Sequence, residues 1–528
     1  MAALILAVDL GTSGCKCALV TLEGRVLGWA FRAVALHIDG VSAEQDPRDW
    51  WQAFLEAAGE LLSRDTSSRA QVAAICCSTQ GEGTIAVDAS GEPLGRAIVW
   101  LDMRGAASIA QRVRGRFFNI AGYSPGKLFH WLRLTGGVPA LSGKDSAGHI
   151  TYLRDREPAI YERTFKFLNA LDYMNLKLTG RFCATPDSIL TSWVTDNRNA
   201  AAVRYDSGLI AMLGIDADKL PEIVGSTEVI GTLLPQIAER LGLDPGTRVV
   251  GGAIDNSAVA IGACAVRDFE AHLYMGTSSW LGAHVPFKKT DVRNKIASIP
   301  CAVKGRYLAT AMQSAGGANL SFLRDRVLFH ADELLGDELR PDVYETLDRI
   351  AQRVPAGARG LLYTPWLFGE RTPVDDTSLR AALINLSLEH TREDIIRAFL
   401  EGVALNTRWM LEPFIRFLGR RPPIITMVGG GAQSDVWCQL MADITGCVIR
   451  QPEAPIQANA LGAAFIAAAG IGAIALQDVP ALLRVRRLYE PDTTHRALYD
   501  ESFANFREIH RRLRPLYQRL NPTPRYAT

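Results

Sequence analysis

The sequence predicts an α/β protein built from two related domains, and three observations favour this prediction. Short runs of β-forming residues alternate with amphipathic helical segments, an alternation typical of α/β folds. The chain has 528 residues, more than a single hydrophobic core usually organises. The triplet Gly-Thr-Ser occurs at 11–13 and again at 276–278, each time between two predicted strands. We therefore expect an internal duplication joined near residues 246–250, with domains at 1–248 and 249–478.

The elements follow from the residue pattern along the chain. We predict strands in "LILAVDL", "CKCALVTL" and "RVLGWAFRAV", then a helix over 47–62 and another strand in "VAAICCST". Residues 105–245 carry turn signals such as "LTGG" and "LDPG", so helices and loops are expected there. The uncharged, Ala-rich run 460–476 predicts a buried, closely packed helix and not a membrane span. Residues 479–528 turn basic and predict a C-terminal helical extension with a loose end.

Composition narrows the class of partner. Lys plus Arg number 57 and Asp plus Glu 56, so a net charge of +1 gives no electrostatic reason to expect nucleic acid or a membrane surface. The nine cysteines are scattered without paired CxxC knuckles, which favours reduced core thiols over a disulfide frame or a structural metal. The start of the chain lacks a basic leader. We expect a cytoplasmic protein whose partner is a small molecule.

Asp9 ends an aliphatic run and is followed at once by a glycine-hydroxyl turn. In the simplest interpretation Asp9 is an ordinary turn residue. Alternatively, such a turn presents backbone amides and hydroxyls that suit phosphate oxygens. The two Gly-Thr-Ser turns could then hold one polyphosphate between them, with Asp9 binding its Mg²⁺ through water.

Two further stretches carry chemistry in their residue types. In "GGAIDN", Asp255 lies near a predicted helix start, where it either caps the helix or acts as a general base towards an attacking hydroxyl that Asn256 orients. In "VGGGAQSD", a glycine run follows a strand and precedes a helix. This run is either a plain strand-to-helix turn or a place where the backbone approaches a flat ligand.

Several stretches in a fixed order identify a family resemblance: "DLGTSGCK", "EQDPRDWW", "STQGEGTIAVD", "IVWLDMRG", "GGAIDN", "MGTSSW", "LFGERTP" and "VGGGAQSDVWCQLMADITG". From about residue 4 to about 475 the chain resembles the FGGY carbohydrate kinases, and among these the xylulokinase-like branch. The resemblance implies two RNase H-like domains of the actin, hexokinase and Hsp70 superfamily around a central cleft. It also implies ATP and Mg²⁺ held mainly by the second domain, sugar held mainly by the first, and a homodimer.

The resemblance also implies roles for individual residues. It assigns Asp255 as the catalytic base and Asp9 as the metal residue. Nucleotide binding is implied for Gly11, Thr12, Ser13, Lys16, Gly276, Thr277, Ser278, Gly430, Gly431, Ala432 and Ser434. Sugar contacts are implied for Gln80, Gly81, Glu82, Trp100, Asp102, Arg104 and Asn256. The chain departs from the family signatures at His149, Tyr152 and Asn385.

The predicted activity is ATP-dependent phosphorylation of a small ketose, D-xylulose to D-xylulose 5-phosphate. L-xylulose, ribulose and polyols such as erythritol remain alternatives, and a non-enzymatic ATP-driven switch is the alternative from another class. Gly81 stands where glycerol kinases carry an Arg, which disfavours glycerol, and Gly81-Glu82 replaces the Met-His of typical xylulokinases. Glu82 either accepts hydrogen bonds from the acceptor or simply pairs with Arg104.

Overall fold

Two large sheets organise the protein, and its computed structural model describes residues 3–330 and 343–522. In spatial order, the strands of the first sheet are Val229–Thr232, Arg248–Ile254, Val72–Thr79, Leu4–Gly11, Gly14–Thr21 and Val26–Ala33. Those of the second are Thr290–Asp291, Ile296–Pro300, Tyr307–Gln313, Ser279–Val285, Ala271–Met275, Ile424–Val428, Val448–Pro452 and Val485–Tyr489. Short strands outside these sheets are His37–Asp39, Ser42–Gln45, Ile85–Val87, Ala97–Ile98, Lys166–Leu168, Cys183–Ala184, Thr195–Asp196, Arg204–Tyr205, Glu222–Ile223, Leu362–Thr364 and Ala382–Ile384.

The two sheets have the same spatial order of parallel and antiparallel strand pairs around their central strands. In spatial order, Leu4–Gly11 and its counterpart Ala271–Met275 are each followed on one side by two further strands in antiparallel pairing. Each then pairs in parallel with a later strand, Val72–Thr79 in the first sheet and Ile424–Val428 in the second. A second parallel strand and an antiparallel strand follow in both. The structure thus confirms the internal duplication that the two Gly-Thr-Ser turns predicted.

Helices cover the sheets and connect them. The helices are Pro47–Arg64, Ala106–Val113, Pro125–Leu134, Ser146–Arg156, Pro158–Arg163, Ala170–Thr179, Ser207–Leu213, Pro235–Leu241, Asp255–Gly262, Ala318–Phe322, Tyr344–Arg353, Arg392–Leu418, Asp435–Thr445, Ala458–Gly470 and Arg496–Leu520. The helix predicted from residue 47 begins there because Asp46 caps it by accepting the Arg48 amide at 2.9 Å. Trp50 and Phe54 are fully buried on its inner face.

Two helices of small residues cross between the sheets. Ala458–Gly470, the buried helix predicted from the Ala-rich run, lies on the first sheet, whereas Asp255–Gly262 also contacts the second. A Cβ atom at Gly462 would lie 1.9 Å from the Ala258 carbonyl oxygen, and one at Gly262 would lie 1.8 Å from that of Ala458. The crossing therefore requires glycine on both helices.

Both sheets extend beyond the limits predicted for their domains. The strand Arg248–Ile254 pairs in parallel with Val72–Thr79, so the first sheet continues past residue 248. The strand Val485–Tyr489 is in the second sheet, so 479–528 is not a purely helical extension. The helix Arg496–Leu520 packs its aromatic residues into the second core, where Phe506 lies 5.3 Å from the ring of Trp366. The loose end predicted at 523–528 is outside the described residues.

All nine cysteines are buried and carry free thiols. Over the described parts of the chain, no helix combines the length and apolar composition that a membrane crossing requires.

Candidate active site

The first glycine-hydroxyl turn joins the first two strands of the first sheet. Gly11 pairs with Gly14 in the antiparallel register, so Thr12 and Ser13 form the turn itself. A Cβ atom at Gly14 would lie 2.2 Å from the carbonyl oxygen of Arg32, and the position therefore needs glycine. Ser13 is exposed at the tip of the turn.

The Thr12 hydroxyl contacts the predicted sugar-facing loops. Its Oγ1 atom donates to Gln80 Oε1 at 2.7 Å and accepts from the Trp100 indole nitrogen at 3.0 Å. The Gln80 amide donates in turn to Gln45 Oε1 at 2.8 Å, which also accepts from Trp50 at 3.2 Å. Thr12 was predicted to bind phosphate, but its side chain is engaged within the protein. At Thr12, the backbone amide is therefore the group that remains to contact a phosphate.

Asp9 lies opposite Lys16 on the adjacent strand. Lys16 Nζ is 3.7 Å from Asp9 Oδ2 and 3.5 Å from the carbonyl oxygen of Ile456. Burial raises the pKa of the Asp9 carboxyl, while the charge of Lys16 and the side chain of Asn459 oppose that rise. Asp9 is thus a partly buried acid with one cation beside it.

Asp255 begins the helix that follows the strand Arg248–Ile254. Its Oδ1 atom accepts the backbone N–H of Asn256 at 2.7 Å, a limited form of the capping role considered above. Burial raises the pKa of the Asp255 carboxyl from 3.8 to about 7, and the negative charges of Asp9 and Glu82 add to the rise. The three carboxyl groups therefore face one region. The Asn256 Oδ1 atom is buried and has no partner among the described residues.

A fourth carboxyl, which the sequence analysis missed, holds the chain at this point. Asp187 is buried, accepts the Ile254 amide at 3.2 Å and accepts the Thr185 hydroxyl at 2.5 Å. These bonds fix the backbone immediately before Asp255. The segment "TPDS" reads as an ordinary turn, so no sequence signal would have marked Asp187.

The second glycine-hydroxyl turn, Gly276 to Ser278, connects the equivalent strands of the second sheet. The amide of Gly317 donates to the Gly276 carbonyl at 2.7 Å, and that of Gly316 donates to the Thr277 carbonyl at 2.8 Å. These bonds orient the turn. Tyr274, on the strand before it, has a raised pKa because it is buried and the charges of Asp9 and Asp255 act on it. The second turn thus begins beside the acids of the first domain.

The third glycine cluster packs on the second turn. Gly429 has φ of 91°, and a Cβ atom there would lie 2.7 Å from the carbonyl oxygen of Met275. A Cβ atom at Gly431 would lie 2.4 Å from the Met275 side chain, whereas one at Gly430 would meet no atom within 4 Å. Gly430 therefore faces open space, as a nucleotide contact requires.

Ala432 and Ser434, both predicted to bind the nucleotide, have side chains that contact the protein itself. Ala432 is fully buried in the second core. Ser434 caps the helix Asp435–Thr445 by accepting the Trp437 amide at 2.9 Å, and its hydroxyl donates to Asp348 at 2.8 Å. Ser434 and Ala432 can therefore meet a nucleotide only through their backbone. Sequence reasoning also missed Asp348, whose pKa burial raises to about 6.

Glu82 lies on the acceptor-side loop at φ of 59°, next to Gly81. Burial raises the pKa of its carboxyl, and the charges of Arg371 and Lys144 lower it. Neither cation forms a described ion pair with Glu82, and the Arg104 pairing considered above does not occur. Lys144 and Arg371, one from each half of the chain, were not predicted. A Cβ atom at Gly81 would only touch Ile254, at 3.4 Å.

Asp102 and Arg104, predicted to face the sugar, instead bind one another. Asp102 is fully buried and accepts from the Ala43 amide at 2.9 Å, the Arg104 amide at 2.8 Å and the Arg104 Nε at 2.9 Å. Arg104 also pairs with Glu44 at 2.6 Å. Both carboxylate oxygens of Asp102 therefore accept hydrogen bonds within the protein. The tight turn after Asp102 brings the side chain of Arg104 into contact with its carboxylate. This pair shapes the loop that carries Trp100.

The two departures in the first signature support this pair. His149 is fully buried, with Nδ1 3.2 Å from the Thr84 hydroxyl, and burial lowers its pKa to about 4. The guanidinium of Arg104 lies 5.0 Å from the ring centre of Tyr152. Asn385, the third departure, adopts φ of 71°, a conformation that glycine would also accept.

The structure thus brings Asp9, Glu82, Asp255 and Tyr274 around one cleft between the sheets, with both glycine-hydroxyl turns and Gly430 at its edges. Within 3–330 and 343–522, no three His, Cys, Asp or Glu side chains form a metal cluster. A metal held here would therefore take most of its ligands from a bound phosphate and water, which is the usual arrangement for Mg²⁺.

Comparisons with known proteins bear on the family of the chain. The model described as "FGGY family of carbohydrate kinases, N-terminal domain" matches residues 4–262, and the corresponding C-terminal domain matches 271–471. A xylulose kinase of Bacillus subtilis (strain 168) is 30% identical over 470 residues, covering 89% of this chain and 88% of that protein. A gluconokinase of Bacillus licheniformis is 28% identical over 484 residues, covering 91% and 90%.

Solved structures show the same fold. A gluconate kinase from Lactobacillus acidophilus superposes with a TM-score of 0.84 at 25% identity, covering 98% of this chain and 100% of that one. A xylulose kinase from Rhodospirillum rubrum has a TM-score of 0.80 at 26% identity, covering 98% and 100%. The predicted two-domain, actin- and hexokinase-like α/β fold is confirmed. The chain belongs to the FGGY family of carbohydrate kinases.

Proposed function

We propose that the protein transfers the γ-phosphoryl group of ATP to a hydroxyl of a small ketose, with D-xylulose as the first candidate acceptor. The observation that carries this proposal is Asp255, a half-buried carboxyl with a pKa of about 7 at a helix start near Asp9 and Glu82. A switch protein that phosphorylates no acceptor has no need of such a base. The xylulose kinases among the relatives support the choice of acceptor.

In the proposed reaction, Asp255 accepts the proton of the acceptor hydroxyl as its oxygen attacks the γ-phosphorus. The bond between the γ-phosphorus and the β,γ-bridging oxygen breaks, and ADP leaves. With a pKa of about 7, Asp255 is close to half ionised at neutral pH, which suits a general base. The amides of the two glycine-hydroxyl turns hold the phosphate oxygens, and Asn256 orients the acceptor hydroxyl.

Mg²⁺ is the metal that we propose with ATP. Asp9 fits this role because its carboxylate is partly exposed at the cleft and its raised pKa reflects burial beside only one cation, Lys16. When bound, the metal would neutralise charge on the transferred phosphoryl group. Lys16, bonded to the Ile456 carbonyl, holds the Asp9 side chain in place.

A second candidate acceptor is an aldonate such as gluconate. Lys144 and Arg371 both act on Glu82, so two cations lie near the acceptor-side loop. An acceptor carboxylate could bind these cations as a ketose could not. The gluconokinases among the relatives support this alternative.

Steady-state kinetics with D-xylulose, L-xylulose, ribulose, erythritol and gluconate separate the candidates. We expect the highest kcat/KM for D-xylulose, and a clearly higher value for any other acceptor would overturn that choice while leaving the kinase chemistry intact. Lys144→Met with Arg371→Met should weaken gluconate far more than D-xylulose if gluconate binds these cations. Arg380→Met, an exposed arginine of the same region, is the matched control.

Asp255→Ala tests the base directly. It should lower kcat by about 10²–10⁴-fold while ATP binding persists. Asp218→Ala, which removes an exposed carboxyl of the first domain, should leave kcat unchanged. Near-normal turnover of Asp255→Ala would show that the base is assigned wrongly. A screen without ADP release for any pentose, hexose or polyol would instead favour the ATP-driven switch.

Location and assembly are also proposals. A cytoplasmic protein is supported by nine buried free thiols, which a reducing compartment preserves. A homodimer is supported by the family resemblance alone, and light scattering after size exclusion tests it.

A further inference from the structure

A cavity of about 630 Å³ lies on the second domain, outside the predicted site residues. It opens between the segment 371–376 and the helices Arg392–Leu418 and Arg496–Leu520. Four arginines line it: Arg293, Arg416, Arg507 and Arg514. Glu412 is the carboxylate of its lining, and the buried ring of Trp409 contributes an apolar surface.

The positive charge of this cavity is only partly balanced. Arg514 pairs with Asp376 at 2.9 Å, and Arg507 lies 3.9 Å from Glu412. Arg293 and Arg416 have no ion pair with any described residue. Guanidinium groups gathered around one concavity repel each other unless an anion lies between them. Their planar N–H groups match phosphate and carboxylate oxygens in pairs.

The fold gathers these arginines from separate elements. Arg507 and Arg514 are seven residues apart and share one face of the C-terminal helix. Arg416 and Glu412 are one turn apart on the helix that the C-terminal helix contacts. Arg293 arrives from the loop before the strand Ile296–Pro300. A solvated surface helix would not by itself bring arginines from three elements around an apolar ring.

We propose that this cavity binds a small polyanion, a molecule carrying two or more phosphate or carboxylate groups. The segment 371–376 connects the cavity to the acceptor side. Arg371 acts on Glu82 across the cleft, Pro373 lines the cavity, and Asp376 holds Arg514. The proposed binding does not rest on the proposed function.

Calorimetric titration of the full-length protein without Mg²⁺, nucleotide or acceptor tests the binding. The probes are inorganic pyrophosphate and tricarballylate, which distinguish phosphate from carboxylate recognition. Arg293→Glu with Arg416→Glu should weaken the better probe at least tenfold. Arg25→Glu with Arg114→Glu, two exposed arginines of the first domain, is the charge-matched control and should leave binding unchanged.

Two outcomes overturn the proposal. The proposal fails if neither probe binds the wild-type protein. It also fails if the double variant binds with unchanged affinity, which would place pyrophosphate at the glycine-hydroxyl turns instead. If the charge-reversed protein fails to fold, as judged by its melting curve, Arg293→Gln with Arg416→Gln provides the same comparison. Because no acceptor is present, an incorrect choice of sugar does not affect the result.

Discussion

Replacing Asp255 with Asn should lower kcat about 10²–10⁴-fold, as expected for Asp255→Ala, and should also stabilise the fold above neutral pH. Burial and nearby negative charge raise the pKa of this carboxyl from 3.8 to about 7. The folded state therefore holds the proton more tightly than the unfolded state, and stability falls as pH rises from about 4 through about 7. At 1.36 kcal/mol for each pKa unit, the rise corresponds to about 4 kcal/mol of destabilisation above that range. Asn keeps the Oδ1 acceptor for the Asn256 amide but carries no charge.

Urea unfolding followed by tryptophan fluorescence at pH 5, 6, 7 and 8 measures the effect. The advantage of Asp255→Asn over the wild type should grow between pH 5 and 7 and level off by pH 8. Asp102→Asn is the control with the opposite sign, because it weakens the buried pair with Arg104 and should lower stability throughout. The reasoning fails if Asp255→Asn is no more stable than the wild type at pH 8, or if its advantage does not change with pH.

Three more predictions follow from the fold and the cleft. Gly462→Ala places a Cβ atom 1.9 Å from the Ala258 carbonyl oxygen, so it should lower the free energy of unfolding by about 1–3 kcal/mol or more; an unchanged urea midpoint would contradict the close crossing. Gln80→Ala removes the bond to Thr12 and should raise the KM for the acceptor more than the KM for ATP, measured by steady-state kinetics. Small-angle scattering should show a smaller radius of gyration with an ATP analogue plus acceptor than without ligand, and an unchanged radius would argue against domain closure.

Much of the fold could be predicted because its signals are local. The strand Val72–Thr79 has its predicted bounds, since an apolar run there ends at polar residues on both sides. The helix from Pro47 follows from an Asp-Pro start and apolar residues at helical spacing. The strand Val485–Tyr489 was missed because four of its five residues are exposed and two adjacent arginines interrupt the alternation of its apolar residues. Its identity depends on pairing with Val448–Pro452, a long-range contact.

The position of a site residue could be predicted where a carboxylate lies beside a turn that the sequence itself reveals. Asp9 lies near the end of the strand Leu4–Gly11, Asp255 directly follows the strand Arg248–Ile254, and the structure places both at the cleft. Asp102 could not be judged in this way, because a loop of unknown conformation decides whether its carboxylate faces the cleft or Arg104 two residues later. Lys144 escaped notice because its role arises from two residues distant in the sequence, Glu82 and Arg371.

The helices that connect the sheets also explain how the acids of the cleft are coupled to domain movement. Asp255 is the first residue of one of these helices, and Asn459, at the start of the other, acts on Asp9 and accepts from Ser78 at 3.4 Å. The two helices are in contact at Gly262 and Gly462, where neither position has space for a side chain. The helix Asp255–Gly262 is the one of the two that also contacts the second sheet. If the angle between the sheets changes on acceptor binding, the second sheet therefore moves against the helix that begins with the proposed base.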